Sequence, residues 1–346
     1  MLSRRQLYIL QAIVDDYVQT AEPVGSRSIS KREDVDFSAA TIRNEMADLE
    51  EMGFLMKPHS SSGRIPSHKG YRLYVDQLLN VTENNHLGLI TSVQQLFDSR
   101  VSEVEAVMRK TAAVLSEMTN YVSVVLGPAM SNTKLKQLQI IPLSTTQAVA
   151  ILVTDSGHVE NRTFDIPRNM SISDLEKFVN ILNEQLTDSP IKQWEALMSN
   201  EIERLLRQHV DHYEKIHQDL SAAFKPKVNE QIFYNGMLNL LAQPEFKDVE
   251  KIRQMLEWLE DKKEVYSLLN AMNSKGLTVK IGEENRFELF DDISMITATY
   301  AIDGDTVGSI GLIGPTRMQY ERAIQIITQM ADGLSTSLTR LYRHDA

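Results

Sequence analysis

Leu7, Leu10, Ile13, Val14 and Tyr17 fall three or four residues apart, so residues 3–19 are expected to form an amphipathic first helix. Pro23 and Gly25 in "TAEPVGS" stop it. A short second helix over 26–33 turns Arg27, Lys31 and Arg32 outward around one buried Ile29. The third helix carries the clearest signals: Ser38 as N-cap, Phe37 placed to staple onto Ile42, and Gly53 where a helix stops. "FLMKP" and "GRIP" are then two short strands around "HSSS". Three helices and a small hairpin make a winged helix-turn-helix outline.

Polar "NVTENNH", Asn80 to His86, is expected to link this unit to the rest. Beyond it Ile90, Val93, Phe97, Val104, Val107, Val114 and Met118 keep a near-heptad stripe, interrupted at Arg100, that predicts a long helix over 87–120. "YVSVVLGP", "LKQLQIIPL", "QAVAILVT" and "HVENRTFDI" are successive strands, with "TDSG" turning between the last two. A polar helical stretch over 171–243 precedes further strands at "LTVKI", "SMITATYAI" and "TVGSIGLIG". Tyr320, Ile324, Ile327, Ala331, Leu334, Leu338 and Leu341 mark a final helix over 318–342. The pattern is an α+β domain split by a mainly helical insert.

Length and charge sharpen this picture. At 346 residues and 42% hydrophobic the chain exceeds one small domain. No apolar run nears the roughly 20 residues of a membrane helix, so a cytoplasmic protein with no membrane association is expected. Zero cysteines exclude disulfides, thiolate zinc sites and a cysteine nucleophile. A net charge of −11 argues against diffuse affinity for nucleic acid, but the first 80 residues carry only −1 of it. Between Gly53 and Val75, Lys57, Arg64, Lys69 and Arg72 meet no acidic residue, a local +4.

On a helical wheel stepping about 100° per residue, Ala39, Met46 and Leu49 cluster with Ile42 as the inner face of the third helix. Ser38, Ala40, Thr41, Arg43 and Asn44 then lie at its start or on its flanks and outer face. Arginine can pair guanine, and asparagine adenine, through two hydrogen bonds each, while alanine and threonine permit close approach. Asp48, Glu50 and Glu51 would repel phosphate, so the helix should enter a major groove by its N-terminal half. In the hairpin, Ser61, Ser62 and Gly63 would keep a tip slim, and Arg64 suits a narrow minor groove. Lys57, Lys69 and Arg72 would add phosphate contacts.

The stretch from "RQLYILQAIVDDYVQTAEPVGS" through "GFLMKPHSSSGRIPSHKGYRLYVD", with "GSIGLIGPTRMQY" before the last helix, resembles the HrcA family of heat-inducible transcription repressors. The resemblance implies a winged-helix domain (1–80), a discontinuous GAF-like domain (87–165 and 246–346) and an inserted dimerisation domain (166–245). It also implies a homodimer on double-stranded DNA, at the inverted-repeat CIRCE operator of chaperone operons, released on heat stress, with the chaperonin GroEL as a partner. Carried over by position, Thr41, Arg43 and Asn44 are recognition-helix residues, His59 to Arg64 form the wing, and Arg27 and Lys31 join the DNA-binding set.

Other chemistry finds little support. Gly308, Gly311 and Gly314 miss the dinucleotide spacing, and no phosphate-binding lysine follows, so a strand with close neighbours accounts for them. His209, His212 and His217 cannot share one helix face as ligands, and no metal or cofactor is expected. Neither a serine nucleophile elbow nor an acid/base pair is evident, so an enzyme is not expected. Dimer contacts could come from the long helix, the final helix or the insert (Ile202, Leu205, Leu206, Val210, Tyr213, Ile216, Leu220), the insert being preferred on the resemblance. The alternative is a metabolite-sensing regulator with a ligand in the GAF-like domain.

Overall fold

The computed structural model describes residues 2–33, 35–58, 63–82, 104–128, 134–154, 159–166, 172–190, 193–197, 204, 231–246, 248–271, 276–285 and 290–344. Two compact units emerge, residues 1–127 with 231–339 and residues 128–230 with 340–346.

The first unit opens with α1 (Arg4–Thr20), α2 (Ser26–Ile29) and α3 (Ala39–Glu51). Ser3 and Gln6 close a capping box on α1, which buries Ile9, Leu10, Ala12, Ile13 and Val14. The second helix is half the expected length. Ser28 Oγ and Ser30 Oγ donate to the Gly25 and Arg27 carbonyls, local bonds that favour a turn over another helical turn. Strands β1 (Leu55–Met56) and β2 (Ile65–Pro66) pair antiparallel. A helix that periodicity had not marked, α4 (His68–Thr82), then follows. Its first turn is held by Ser67 Oγ, which accepts from Gly70 N, and Gly70 looks like a helix breaker in sequence. Here it is needed, because a Cβ at that position would lie 2.2 Å from the Phe54 carbonyl oxygen.

The rest of this unit is a five-stranded antiparallel sheet, order β7-β3-β10-β9-β8, made of β3 (Val122–Leu126), β7 (Ile232–Asn235), β8 (Leu277–Ile281), β9 (Ile293–Ile302) and β10 (Asp305–Pro315). Helices cover both faces. Val122, Val124, Leu126, Met295 and Ile313 share a core with Trp258, Leu259 and Leu269 from α9 (Val249–Glu260) and α10 (Lys262–Ala271), which follow the short α8 (Met237–Leu241). On the other face Ser123 Oγ donates to Ala112 O in α5 (Val104–Thr119), and Ser294 Oγ bonds Tyr320 Oη at the start of α11 (Tyr320–His344). Gly308 and Gly314 lie in β10 where a Cβ would fall 2.3 Å from Tyr300 Oη and 2.7 Å from the Tyr121 ring, so close packing explains the glycines. On the final helix Ile324, Ile327, Leu334 and Leu338 are at most 1% exposed, so its apolar stripe is already covered within the chain.

In the second unit β4 (Leu135–Pro142), β5 (Gln147–Thr154) and β6 (Val159–Asp165) form a separate antiparallel sheet in that order. α6 (Ile172–Leu186) covers one face with Phe178, Leu182 and Leu186, and Trp194 of α7 (Trp194–Leu197) closes the core. Asn183 caps the outer edge of β4, its side chain accepting from Leu138 N at 2.9 Å and donating to Leu138 O at 2.8 Å. The stretch between the two parts of the first unit runs from 128 to 230, where the insert had been expected over 166–245, and among described residues it holds this sheet as well as α6 and α7. β7, which falls in the stretch expected to be helical, belongs to the five-stranded sheet. The two sheets differ in how their strands are buried. β3 is buried at every position, whereas β5 alternates buried with partly exposed residues, as a strand covered on one face does. Of the expected linker Asn80 to His86, residues 80–82 belong to α4, while residues 83–86, residues 87–103 of the expected long helix, the three histidines and the insert's apolar stripe lie outside the described residues.

Candidate nucleic-acid interface

Helix α3 is oriented by what it hides. Ile42, Met46 and Leu49 are buried, each stabilising the fold by about 1.5–3 kcal/mol. With that stripe fixed inward, Ala40, Arg43, Asn44 and Ala47 are exposed. Ser38 Oγ accepts from Thr41 N at 3.1 Å and bonds Thr41 Oγ1 at 2.9 Å, so the cap holds the Thr41 hydroxyl near the helix start. The remaining first-turn N–H groups and the positive end of the helix dipole favour an anion there. Phe37, expected to staple onto Ile42, is half-buried and carries the Arg5 guanidinium 5.4 Å from its ring centroid.

Acidic groups around this surface are partly neutralised. Arg5 of α1 pairs Glu45 at 3.1 Å, and Arg64 pairs Glu50 at 2.6 Å. Sequence reading missed the first pair, which no local spacing signals because α1 and α3 meet only in the folded chain. Arg4 and Tyr8 extend the surface, lining with Ser3, Arg5, Asp36 and Phe37 an open groove of about 640 Å3. Arg27 and Lys31 are exposed beside α3, as expected, while Arg32 is turned to Asp16 at 3.2 Å.

The cationic hairpin differs from its expected form. Arg64 exchanges two backbone hydrogen bonds of 2.9 Å with Val24, and its guanidinium lies on Glu50 with the side chain 17% exposed. It therefore ties the base of the hairpin to the end of α3, where the sequence pattern had suggested a side chain reaching for a minor groove. Gly63 is buried, not at a tip, and a Cβ there would lie 2.7 Å from the Pro23 backbone. Lys69 Nζ donates to Met52 O at 2.8 Å, 4.4 Å from the Phe54 centroid, and so neutralises the C-terminal end of α3. Arg72 is bonded to Glu284 and to the Val279 carbonyl. Of the four cations in the local +4, Lys57 is the exposed one whose side chain is not drawn into these contacts. His59, Ser61 and Ser62 lie outside the described residues.

What remains is an exposed helix start that carries Arg43, with Arg27, Lys31 and Lys57 exposed elsewhere in the same N-terminal segment, on a chain otherwise strongly anionic. Among described residues no group of acidic and histidine side chains is arranged to hold a metal, and no helix is long and apolar enough to cross a membrane.

Residues 105–324 match a family described as the HrcA protein C terminal domain. A heat-inducible transcription repressor HrcA from Halalkalibacterium halodurans is 50% identical over 347 residues, covering 99% of both chains. Its counterpart from Shouchella clausii is 49% identical, covering 99% of this chain and 100% of that one. The chain belongs to the HrcA family of heat-inducible transcription repressors. The HrcA relatives span the N-terminal helices and hairpin as well, which the C-terminal family match leaves out. A solved chain described as a hypothetical protein at 2.2 Å resolution superposes with a TM-score of 0.69 at 24% identity, covering 99% of this chain and 100% of that one. At that identity the likeness speaks for the fold alone.

Proposed function

We propose that the chain is a sequence-specific DNA-binding repressor of heat-shock operons, acting as a homodimer on an inverted-repeat, CIRCE-type operator. Residues 1–80 serve as the winged helix-turn-helix, the interrupted five-stranded sheet as the GAF-like domain, and the second unit as the dimerising insert. One observation carries the reading: α3 buries Ile42, Met46 and Leu49 and leaves Ala40, Arg43 and Asn44 facing out at its N-terminal half. Arg43 and Asn44 read base edges, Ser38, Arg27, Lys31 and Lys57 contact phosphates, and the acidic bulk suppresses non-specific binding. Arg64 and Lys69 act by shaping the hairpin.

Two half-sites follow from size, since one small domain touches too few bases for useful selectivity and a two-fold protein suits a two-fold operator. Heat shifts the dimer toward forms that do not bind, and the chaperonin GroEL restores the competent fraction by mass action. The deciding experiment is a gel-shift titration with an inverted-repeat duplex and a scrambled duplex at two salt concentrations. Tight binding to the repeat with a steep salt slope is expected; equal, weak binding to both duplexes overturns the reading.

A metabolite-sensing regulator is the second reading, and one feature favours it. A polar cleft of about 250 Å3 is lined by Gln19, Asn120, Tyr121, Gln319 and Arg322, among others. A thermal-shift screen of small acids and nucleotides tests it, since a tight ligand raises the melting temperature.

A further inference from the structure

The proposed reading domain does not hang from a tether; two arginines clasp it to the five-stranded sheet. On α4, Arg72 Nε donates to Glu284 Oε1 at 2.8 Å and its Nη2 to Val279 O at 2.6 Å, while Nη1 reaches Asp76 at 3.3 Å. Glu284 is itself fixed, its Oε2 accepting from Ile281 N at 2.9 Å. The second clasp reaches α1. Arg317 pairs with Glu245, donates to Gln243 Oε1 at 3.2 Å, and donates to Val18 O at 3.2 Å, one of the last-turn carbonyls that α1 leaves without an intrahelical donor. Planar guanidinium groups bonded on several sides hold direction as well as distance.

Between the clasps the surfaces touch. Tyr71 of α4 lies 5.8 Å from Tyr320 between ring centroids, and both side chains are at most 2% exposed. A Cβ at Gly282 would stand 2.6 Å from the His68 ring, which leaves no room for a methyl group. Both clasped helices carry α3: Arg5 of α1 pairs Glu45, and Lys69 of α4 holds the Met52 carbonyl at its end. Attachment at two helices removes the rotation that one contact would permit.

We infer that Arg72 and Arg317 are positioning residues that hold the reading helix at a set angle to the sheet and so fix the half-site separation the dimer accepts. This rests on the proposed reading of the protein as a dimer on an inverted repeat. Each base pair inserted between half-sites turns one of them by about 34° and moves it about 3.4 Å, displacements a rigid attachment cannot follow.

The test uses the full chain, inverted-repeat duplexes with the half-site separation unchanged or lengthened by one and two base pairs, and a single half-site duplex. Wild type, the double variant Glu245→Gln with Glu284→Gln, and Arg72→Lys are compared, with melting curves to establish folding. Wild type is expected to lose about 10-fold or more in affinity on lengthening. The double variant binds the unaltered repeat roughly 3- to 10-fold more weakly, loses under about 3-fold on lengthening, and matches wild type on the single half-site. Arg72→Lys, which keeps the charge and loses the fork, falls between them. A merely structural role lowers affinity for every duplex by one factor, and such parallel profiles overturn the inference. If the double variant does not fold, Arg72→Lys is judged by the same criterion. Wild type that treats the repeat and a scrambled duplex alike overturns the DNA reading itself, a failure seen without any variant.

Discussion

The start of α3 and the base of the hairpin are both cationic in sequence, yet they use their charge in opposite ways. Arg43 stands exposed on a helix whose apolar stripe is anchored beneath it, and the basic side chains beside it point outward. Arg64, Lys69 and Arg72 turn inward instead, onto Glu50, the Met52 carbonyl and Glu284. A charge count along the chain cannot separate these cases, because availability depends on whether folding brings an acceptor within hydrogen-bond reach. Inward arginines trade phosphate attraction for orientation: they fix the hairpin and helices so that a few outward groups are presented at one angle.

The sharpest way to break this contrast is Arg64→Ala. A hydrogen-bonded partner of a carboxylate is lost, so stability should fall by about 1.5–3 kcal/mol, read as a lower denaturant midpoint at unchanged slope. Unchanged stability with lost DNA affinity would return Arg64 to the DNA surface. Arg43→Ala should do the reverse, costing about 1–3 kcal/mol of binding and relaxing selectivity at one base position, while stability stays within about 0.5 kcal/mol. Equal losses on specific and random duplexes would remove its base-reading role. Lys57→Ala is smaller and non-selective, weakening all duplexes alike and lowering the salt slope by about one; a slope identical to wild type would place Lys57 away from phosphate.

The slightest effect lies between α1 and α4, at Asp15. Burial, opposed by a hydrogen bond of 3.0 Å from Tyr74 Oη and by nearby Arg32, raises its pKa above the ordinary carboxylate value. A folded pKa above the unfolded one means the folded chain holds that proton more tightly, so stability is lost as pH rises through the folded value. Asp15→Asn should therefore be the more stable form at neutral pH. Its advantage should shrink as pH falls toward and below about 4, where the unfolded carboxylate also takes up its proton. Denaturant melts across that range check the trend, and an advantage independent of pH would assign it to another cause.

Local signals in the sequence determined much of the proposed DNA-binding surface. Ser38 before an apolar period and Gly53 after it placed α3 almost to the residue, and the wheel position of Ile42 decided which side chains face outward. Such features depend on neighbours within one or two turns, which sequence displays directly. Tertiary structure alone decided the rest: that Arg64 meets Glu50, that Arg72 meets Glu284 across 212 positions, that Gly70 is tolerated in a helix because Phe54 presses on it, and that β4–β6 close on themselves rather than joining β3. The physical reason is common to all four. Each depends on which distant groups share a small volume, and that is set by the simultaneous packing of every buried face, not by the periodicity of any one segment.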